Sequence, residues 1–209
     1  MKTKYLIYSD LDGTLLNHDN YSFAPAQEAL DFLASKSIPL ILTTSKTFSE
    51  VISIQEEIGI REPFIVENGA GIFIPSECVL AESLPFKEDW IKVSQASSYI
   101  ELRLFFNSMQ REYPIKGFGD MSIAEVCALT GLDDDHAIKA MKRDFTEPFV
   151  IGDETLVDAL KKEANYEGLD IVKGGRFYHL ISLNQDKASA MLHLTHLYDE
   201  YYNTKHETI

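Results

Sequence analysis

The sequence predicts an α/β fold, a doubly wound parallel-sheet core of Rossmann type interrupted by an inserted α+β cap domain. Three observations carry this expectation. Through the first third of the chain, short β-rich runs alternate with helical patterns, the signature of parallel strands joined by crossover helices. From Glu82 to Ser182 the rhythm changes to clustered helices and then strands. A last helical stretch, Gln185 to Tyr202, then has the apolar stripe needed to return to the first sheet. Residues 1–81 and 183–209 are therefore assigned to the core, and 82–182 to the insert.

In chain order, "KYLIYS" reads as the first strand. "SFAPAQEALDFLASKS" has Pro25 near a helix start and Ala26, Ala29, Leu30 and Leu33 at helical spacing. "IPLILTT" is the second strand. Thr47 and Glu50 match a capping box opening a helix through Val51, Ile54, Gln55 and Ile58, which Gly59 ends. "PFIVEN" is the third strand. In the insert, the expected helices lie around "YIELRLFF", from "SIAE", from "DDDH" and over "DETLVDALKKEA"; its strands are "PFVI", "DIVK" and "RFYHLI". Right-handed crossovers then build a doubly wound core whose ligands sit at the strand carboxyl ends.

The chain of 209 residues is 45% hydrophobic, enough for a sizeable core in one domain with a large insertion or two small ones. No run approaches the roughly 18 apolar residues of a membrane span, and "MKTKYLIYSD" is too short and too soon charged for a signal peptide. A cytoplasmic protein is expected. Cys78 and Cys127 are far apart without metal spacing and read as buried free thiols. The 19 Lys+Arg against 33 Asp+Glu give a formal charge of -14, which repels phosphate backbones and anionic membranes, so neither nucleic acid nor a membrane is an expected partner.

The strand ends carry the chemistry. The first delivers "DLDGT", the second "TTSKT", the third "ENGA", and the last helix opens at "DKASA". A bare D-x-D-G is an ordinary turn. Four such motifs converging where a doubly wound sheet places its ligand supply a carboxylate nucleophile, hydroxyls and amides for phosphate oxygens, and a lysine for charge. Asp10 is the natural nucleophile toward phosphorus, and Asp12 can donate a proton to the leaving alkoxide and later take one from water. Gly13 allows a sharp turn, and Mg²⁺ would screen an anionic nucleophile from an anionic substrate. Other features read more plainly. "DDD" at Asp133 to Asp135 caps a helix, His193 and His196 lie on a helix surface, Trp90 packs, and Lys142 and Lys173 are solvated charges.

"DLDGTLL" with "TTSKT", "ENGA" and "DKASA" resembles the haloacid dehalogenase superfamily of phosphatases, in the branch whose cap is inserted after the third strand. "TSKT", "FIVENGAGIF", "RDFTEPF" and "GGRFYHL" resemble its mannosyl-3-phosphoglycerate phosphatase branch, over nearly the whole chain. The resemblance implies Asp10 as nucleophile and Mg²⁺ ligand, and Asp12 as general acid/base whose main-chain carbonyl also binds the metal. It implies Thr44 as the phosphate-binding hydroxyl and Lys187 as the lysine that stabilises phosphoryl charge. Ser45, Lys46 and Asn68 lie near the same point as substrate-binding candidates. In the cap, Arg143, Glu147, Gly175 and Arg176 fall in motifs associated with the glycerate carboxylate and the sugar, for which the planar fork of an arginine is suited. The implied reaction is Mg²⁺-dependent phosphate-monoester hydrolysis through an aspartyl-phosphate, on a small phosphorylated sugar acid. A general sugar-phosphate phosphatase is the alternative within the same chemistry.

The family pattern also implies a further strand after the last helix, ending in a G-D-x-x-N-D motif whose carboxylates complete the Mg²⁺ site; the chain closes on "KHETI" without it. Without that strand the first strand is expected to present an apolar edge, a template for a second copy in a homodimer. The non-enzymatic alternative follows from the same departure: an incomplete core that only binds a sugar phosphate or a partner chain.

Overall fold

A computed structural model describes residues 4–17, 21–83 and 88–209. The chain divides into two compact units: 1–46, 51–94 and 186–209 in the first, 47–50 and 95–185 in the second.

The first unit is built on a six-stranded sheet. Its strands are β1 (Tyr5–Ser9), β2 (Leu40–Thr43), β3 (Phe64–Val66), β4 (Gly71–Pro75), β5 (Trp90–Val93) and β10 (Glu207–Thr208), in the order β10-β1-β2-β3-β4-β5. The four strands from β10 to β3 run parallel, and β4 and β5 continue antiparallel. The crossover helices α1 (Gln27–Lys36) and α2 (Phe48–Ile58) arise as the spacing predicts. Pro25 stands in the turn leading into α1. At α2 the Thr47 amide donates to Glu50 Oε2 at 2.9 Å and the Glu50 amide to Thr47 Oγ1 at 3.2 Å, the reciprocal bonds of a capping box. The last helix, α7 (Lys187–Tyr202), packs Ala190, Leu194 and Tyr198 against Leu6, Ile41, Ile65 and Ile74 of the sheet.

Three expectations change here. Trp90–Val93 is a strand of the first sheet, pairing with β4, so the first unit runs through Ser94 rather than ending at Ala81. There Trp90 packs edge-on to Phe64, with ring centroids 5.0 Å apart. The β1 edge is not bare. Asn203 adopts a left-handed conformation that ends α7, and the chain returns to pair Tyr5 with Glu207 and Leu6 with Thr208, in parallel. The Tyr8 amide also donates to the Ile209 carbonyl at 2.8 Å. The apolar edge proposed as a dimer template is thus covered along this length by a two-residue strand too short to show period-two alternation in sequence. Both cysteines are free, as read, but half-buried rather than buried.

The second unit is a four-stranded antiparallel sheet, β6 (Ile115–Gly117), β7 (Glu147–Ile151), β8 (Leu169–Gly174) and β9 (Phe177–Ser182), in the order β6-β7-β9-β8. It carries α3 (Tyr99–Met109), α4 (Ile123–Thr130), α5 (Asp134–Met141) and α6 (Val157–Tyr166). Leu102 and Phe106 of α3 bury against Phe149, Tyr178 and Leu180, so the "YIELRLFF" stripe is core. Asp133 caps α5 by accepting from the His136 amide at 2.9 Å.

Candidate active site

The carboxyl ends of β1, β2 and β3 and the start of α7 meet within the first unit. β1 ends at Ser9, which places Asp10 and Asp12 in the following turn. Gly13 at φ 70° and the return bond from its amide to the Leu16 carbonyl, at 3.0 Å, close that turn. Asp10 Oδ1 accepts from the Leu11 amide at 2.7 Å, and Oδ2 accepts from Lys187 Nζ at 2.7 Å. Its side chain remains 45% exposed, so the carboxylate is oriented yet open to solvent. Asp12 Oδ1 lies 3.0 Å from Lys46 Nζ. Each acid therefore faces its own lysine, one from the start of α7 and one from the end of β2.

Thr44 is fully buried just past β2, and its Oγ1 accepts from the Lys46 amide at 3.2 Å. A hydroxyl that accepts in this way still has its own proton to donate, which is what a phosphate oxygen requires. Ser45 is half-buried between these two residues. The turn after β3 is stapled to the same point: the Glu67 amide donates to the Lys46 carbonyl at 3.0 Å and the Asn68 amide to the Thr44 carbonyl at 2.9 Å. Glu67 and Asn68 both adopt positive φ there, 49° and 59°. Gly69 follows at φ 96°, and a Cβ on it would stand 2.2 Å from the Asp186 carbonyl oxygen. Only glycine lets the β3 turn approach the start of α7 so closely. Asp186 in turn caps α7, accepting from the Ser189 amide at 2.8 Å, and this launches Lys187 toward Asp10.

Asp10, Asp12, Thr44, Ser45, Lys46, Asn68 and Lys187 thus all belong to the first unit. The remaining candidates, Arg143, Glu147, Gly175 and Arg176, belong to the second. There Arg143 Nε donates to the Ala140 carbonyl at 2.7 Å, and Arg176 Nη1 donates to the Leu129 carbonyl at 3.0 Å. Gly175, at φ 59°, turns the chain between β8 and β9. Glu147 is wholly buried. Its Oε2 accepts from the Tyr99 hydroxyl at 2.6 Å, its Oε1 accepts from the Gly119 amide at 3.0 Å, and Arg103 Nη1 lies 3.3 Å from Oε2. Burial raises its pKa against the opposing pull of the Tyr99 hydroxyl.

Sequence reasoning passed over Glu67, Gly69 and Tyr21 at this site. The first two stand in the quoted "ENGA", where the apolar run ending in an acid and a glycine was the available signal. Tyr21 has its ring centroid 5.2 Å from Lys46 Nζ, a contact no local pattern announces.

Among the described residues, no group of three or more His, Cys, Asp or Glu stands together as a metal cluster. The oxygens offered by the Asp10 carboxylate and the Asp12 main chain are hard donors. They fit Mg²⁺, which is held by one or two carboxylates while waters and substrate phosphate fill the remaining positions.

A family model described as haloacid dehalogenase-like hydrolase matches residues 7–208. A glucosyl-3-phosphoglycerate/mannosyl-3-phosphoglycerate phosphatase of Persephonella marina is 46% identical over 198 residues, covering 94% of this chain and 74% of that protein. A protein of the same name from Methanococcoides burtonii is 36% identical over 204 residues, covering 95% and 75%. Among solved structures, a Thermoplasma acidophilum protein superposes with a TM-score of 0.64 at 20% identity, covering 98% of this chain and 74% of its own. A haloacid dehalogenase-like hydrolase from B. subtilis gives 0.63 at 18% identity, covering 97% and 80%. These two likenesses concern the fold.

Proposed function

Because the chain belongs to the haloacid dehalogenase-like hydrolase family, we propose that it hydrolyses a phosphate monoester through an aspartyl-phosphate on Asp10. That it is a phosphatase follows from the family and from the phosphatase names of both relatives. The single observation that carries the mechanism is the pair of acids one residue apart, Asp10 oriented by Leu11 and Lys187, and Asp12 facing Lys46.

An Asp10 oxygen attacks phosphorus, the P–O bond to the alcohol breaks, and the departing alkoxide takes a proton from Asp12. Asp12, now ionised, takes a proton from water, whose oxygen attacks the same phosphorus. The acyl-phosphate bond breaks, returning the Asp10 carboxylate and releasing orthophosphate. Lys187 and the Thr44 hydroxyl offset charge on the phosphoryl oxygens in both displacements. Mg²⁺, held by the Asp10 carboxylate and the Asp12 main-chain carbonyl, would supply further positive charge against the repulsion between nucleophile and substrate.

The proposed substrate is mannosyl-3-phosphoglycerate, supported by the names of both relatives, which extend to the glucosyl ester. The Arg143 and Arg176 guanidinium groups are suited to its carboxylate. The protein is proposed to act in the cytoplasm; among the described residues no helix is long and apolar enough to cross a membrane.

The test is phosphate release from mannosyl-3-phosphoglycerate, with and without Mg²⁺, by the wild type and by Asp10→Asn. The variant is expected to fold and to lose turnover by at least about 10³-fold, since it has no nucleophile. Wild-type turnover by Asp10→Asn would sink the mechanism.

A further inference from the structure

Tyr21 is a bulky residue in the left-handed region, at φ 55°, where such side chains are rare and strained. Its amide donates to the Asn17 carbonyl at 2.9 Å, and the Asn17 amide donates to the Ser22 carbonyl at 3.0 Å, which ties this backbone conformation into the loop that follows the Asp10–Asp12 turn. The strained backbone has a visible consequence. It leaves the residue 51% exposed, an unfavourable place for an aromatic side chain, yet puts the ring centroid 5.2 Å from Lys46 Nζ. The Lys46 side chain is only 13% exposed, and its ammonium stands 5.2 Å from the ring centroid and 3.0 Å from Asp12 Oδ1.

A lysine on a flexible four-carbon stem samples many rotamers, and a cation that must meet a phosphate gains from being held in place beforehand. A tyrosine face within about 6 Å of the ammonium attracts it through the ring quadrupole and takes up none of its N–H groups in a hydrogen bond, so it adds to the Asp12 contact without replacing it. A second carboxylate in the ring's place, added to Asp12, would offset the ammonium further and compete with an anionic substrate. The ring does not.

We propose that Tyr21 is a positioning residue for Lys46: its ring, presented by the left-handed backbone, holds the ammonium at the strand ends, where an incoming phosphate or neighbouring anionic group of the substrate is bound. This rests on the phosphatase reading of the Asp10 site.

The experiment measures binding of inorganic orthophosphate by calorimetry, together with thermal melting, for the wild type, Tyr21→Phe, Tyr21→Leu and Tyr21→Asn. Phe keeps the ring without the hydroxyl; Leu keeps apolar bulk; Asn tolerates the left-handed backbone and removes the ring. The expected result is orthophosphate binding weakened about two- to fivefold in the Leu and Asn variants and restored in Phe, with phosphomonoester KM rising in parallel while kcat stays near wild type. The Asn variant should melt at or above the wild-type temperature because the strain is relieved, which a merely structural role for the tyrosine would not give. Unchanged orthophosphate binding in both Leu and Asn overturns the proposal, as does a loss in Phe equal to that in Leu. Asp10→Asn measured alongside separates the two readings. If it keeps turnover, the mechanism fails while the Tyr21 series still reports on Lys46; if turnover is lost and the Tyr21 series is flat, only the positioning role fails.

Discussion

Glu62 shows at a single residue how burial sets a pH response. It lies just before β3, half-buried, where its charge is felt by Cys78, Tyr198 and Tyr202. Burial alone lifts its pKa from 4.5 to about 7. The folded state therefore holds this proton more tightly than the unfolded chain does. That contribution to stability is fully present below pH 4.5, is lost as pH rises toward 7, and stays lost above it. Glu62→Gln should remove the loss. Melting temperatures of the two proteins compared between pH 5 and 8 should diverge as pH rises, with the glutamine variant the more stable at the upper end. Parallel curves would contradict the assignment. Nothing in "REPFIVENG" reveals this, because a carboxylate before a strand is ordinarily solvated and only tertiary packing takes its water away.

Elements were legible where the determinants are local. The capping boxes of α2 and α4 rest on side chains three residues apart, Thr47 with Glu50 and Ser122 with Glu125, so spacing alone gave the first box and the start of the second helix. β4 and β6 were not assigned, for different reasons. β4 is buried along its whole length and carries no alternation; β6 has three residues. β10 is the extreme case, since its existence depends on a latch. The Asp199 carboxylate accepts from the His206 amide at 2.8 Å and sits 2.9 Å from His206 Nδ1, and Lys205 pairs with its other oxygen. Burial works to raise the Asp199 pKa, but these bonds prevail and hold it down at about 2. The His206 ring is itself packed against Tyr198 and Tyr202. Asp199→Ala should free residues 206–209 from β1 at a cost of ~1–2 kcal/mol. Hydrogen exchange should then accelerate at the Tyr8 and Ile209 amides, which make the bonds flanking this pairing, and stay slow in β2. Unaltered exchange at both amides would show that β10 holds without the latch.

For the whole molecule, the sequence announced a parallel core with an α+β insert and the four motifs at its strand ends, because hydrophobic rhythm and turn residues are written along the chain. Pairing across it is not so written. Lys187 meets Asp10 from 177 residues away, and the sequence brought the two together only through the expected fold, which gathers the strand-end motifs, and through the family resemblance. The acidic balance of the chain was legible as a number, whereas its local offset at the site depends on Lys46 meeting Asp12 and Lys187 meeting Asp10 from separate elements. The two units also differ in what holds them. The first packs α7 on the sheet through Ala190, Leu194 and Tyr198, while the second adds to its aromatic core a buried carboxylate, Glu147, shared by Tyr99, Gly119 and Arg103. Arg103 also pairs with Asp120, and a Cβ at Gly117 would stand 2.4 Å from Glu147 Oε1, so the glycine keeps the space this network needs. Removing one partner of a buried ion pair leaves the other charge uncompensated, at a cost of ~3 kcal/mol. Because each unit has its own core, Arg103→Met should lower one calorimetric transition, that of residues 95–185, and leave the transition of the first unit in place. Orthophosphate binding, proposed above for the first unit, should survive at temperatures below the lowered transition. A single transition that moves as a whole would mean that the two cores unfold together and that the Glu147 network stabilises the entire chain.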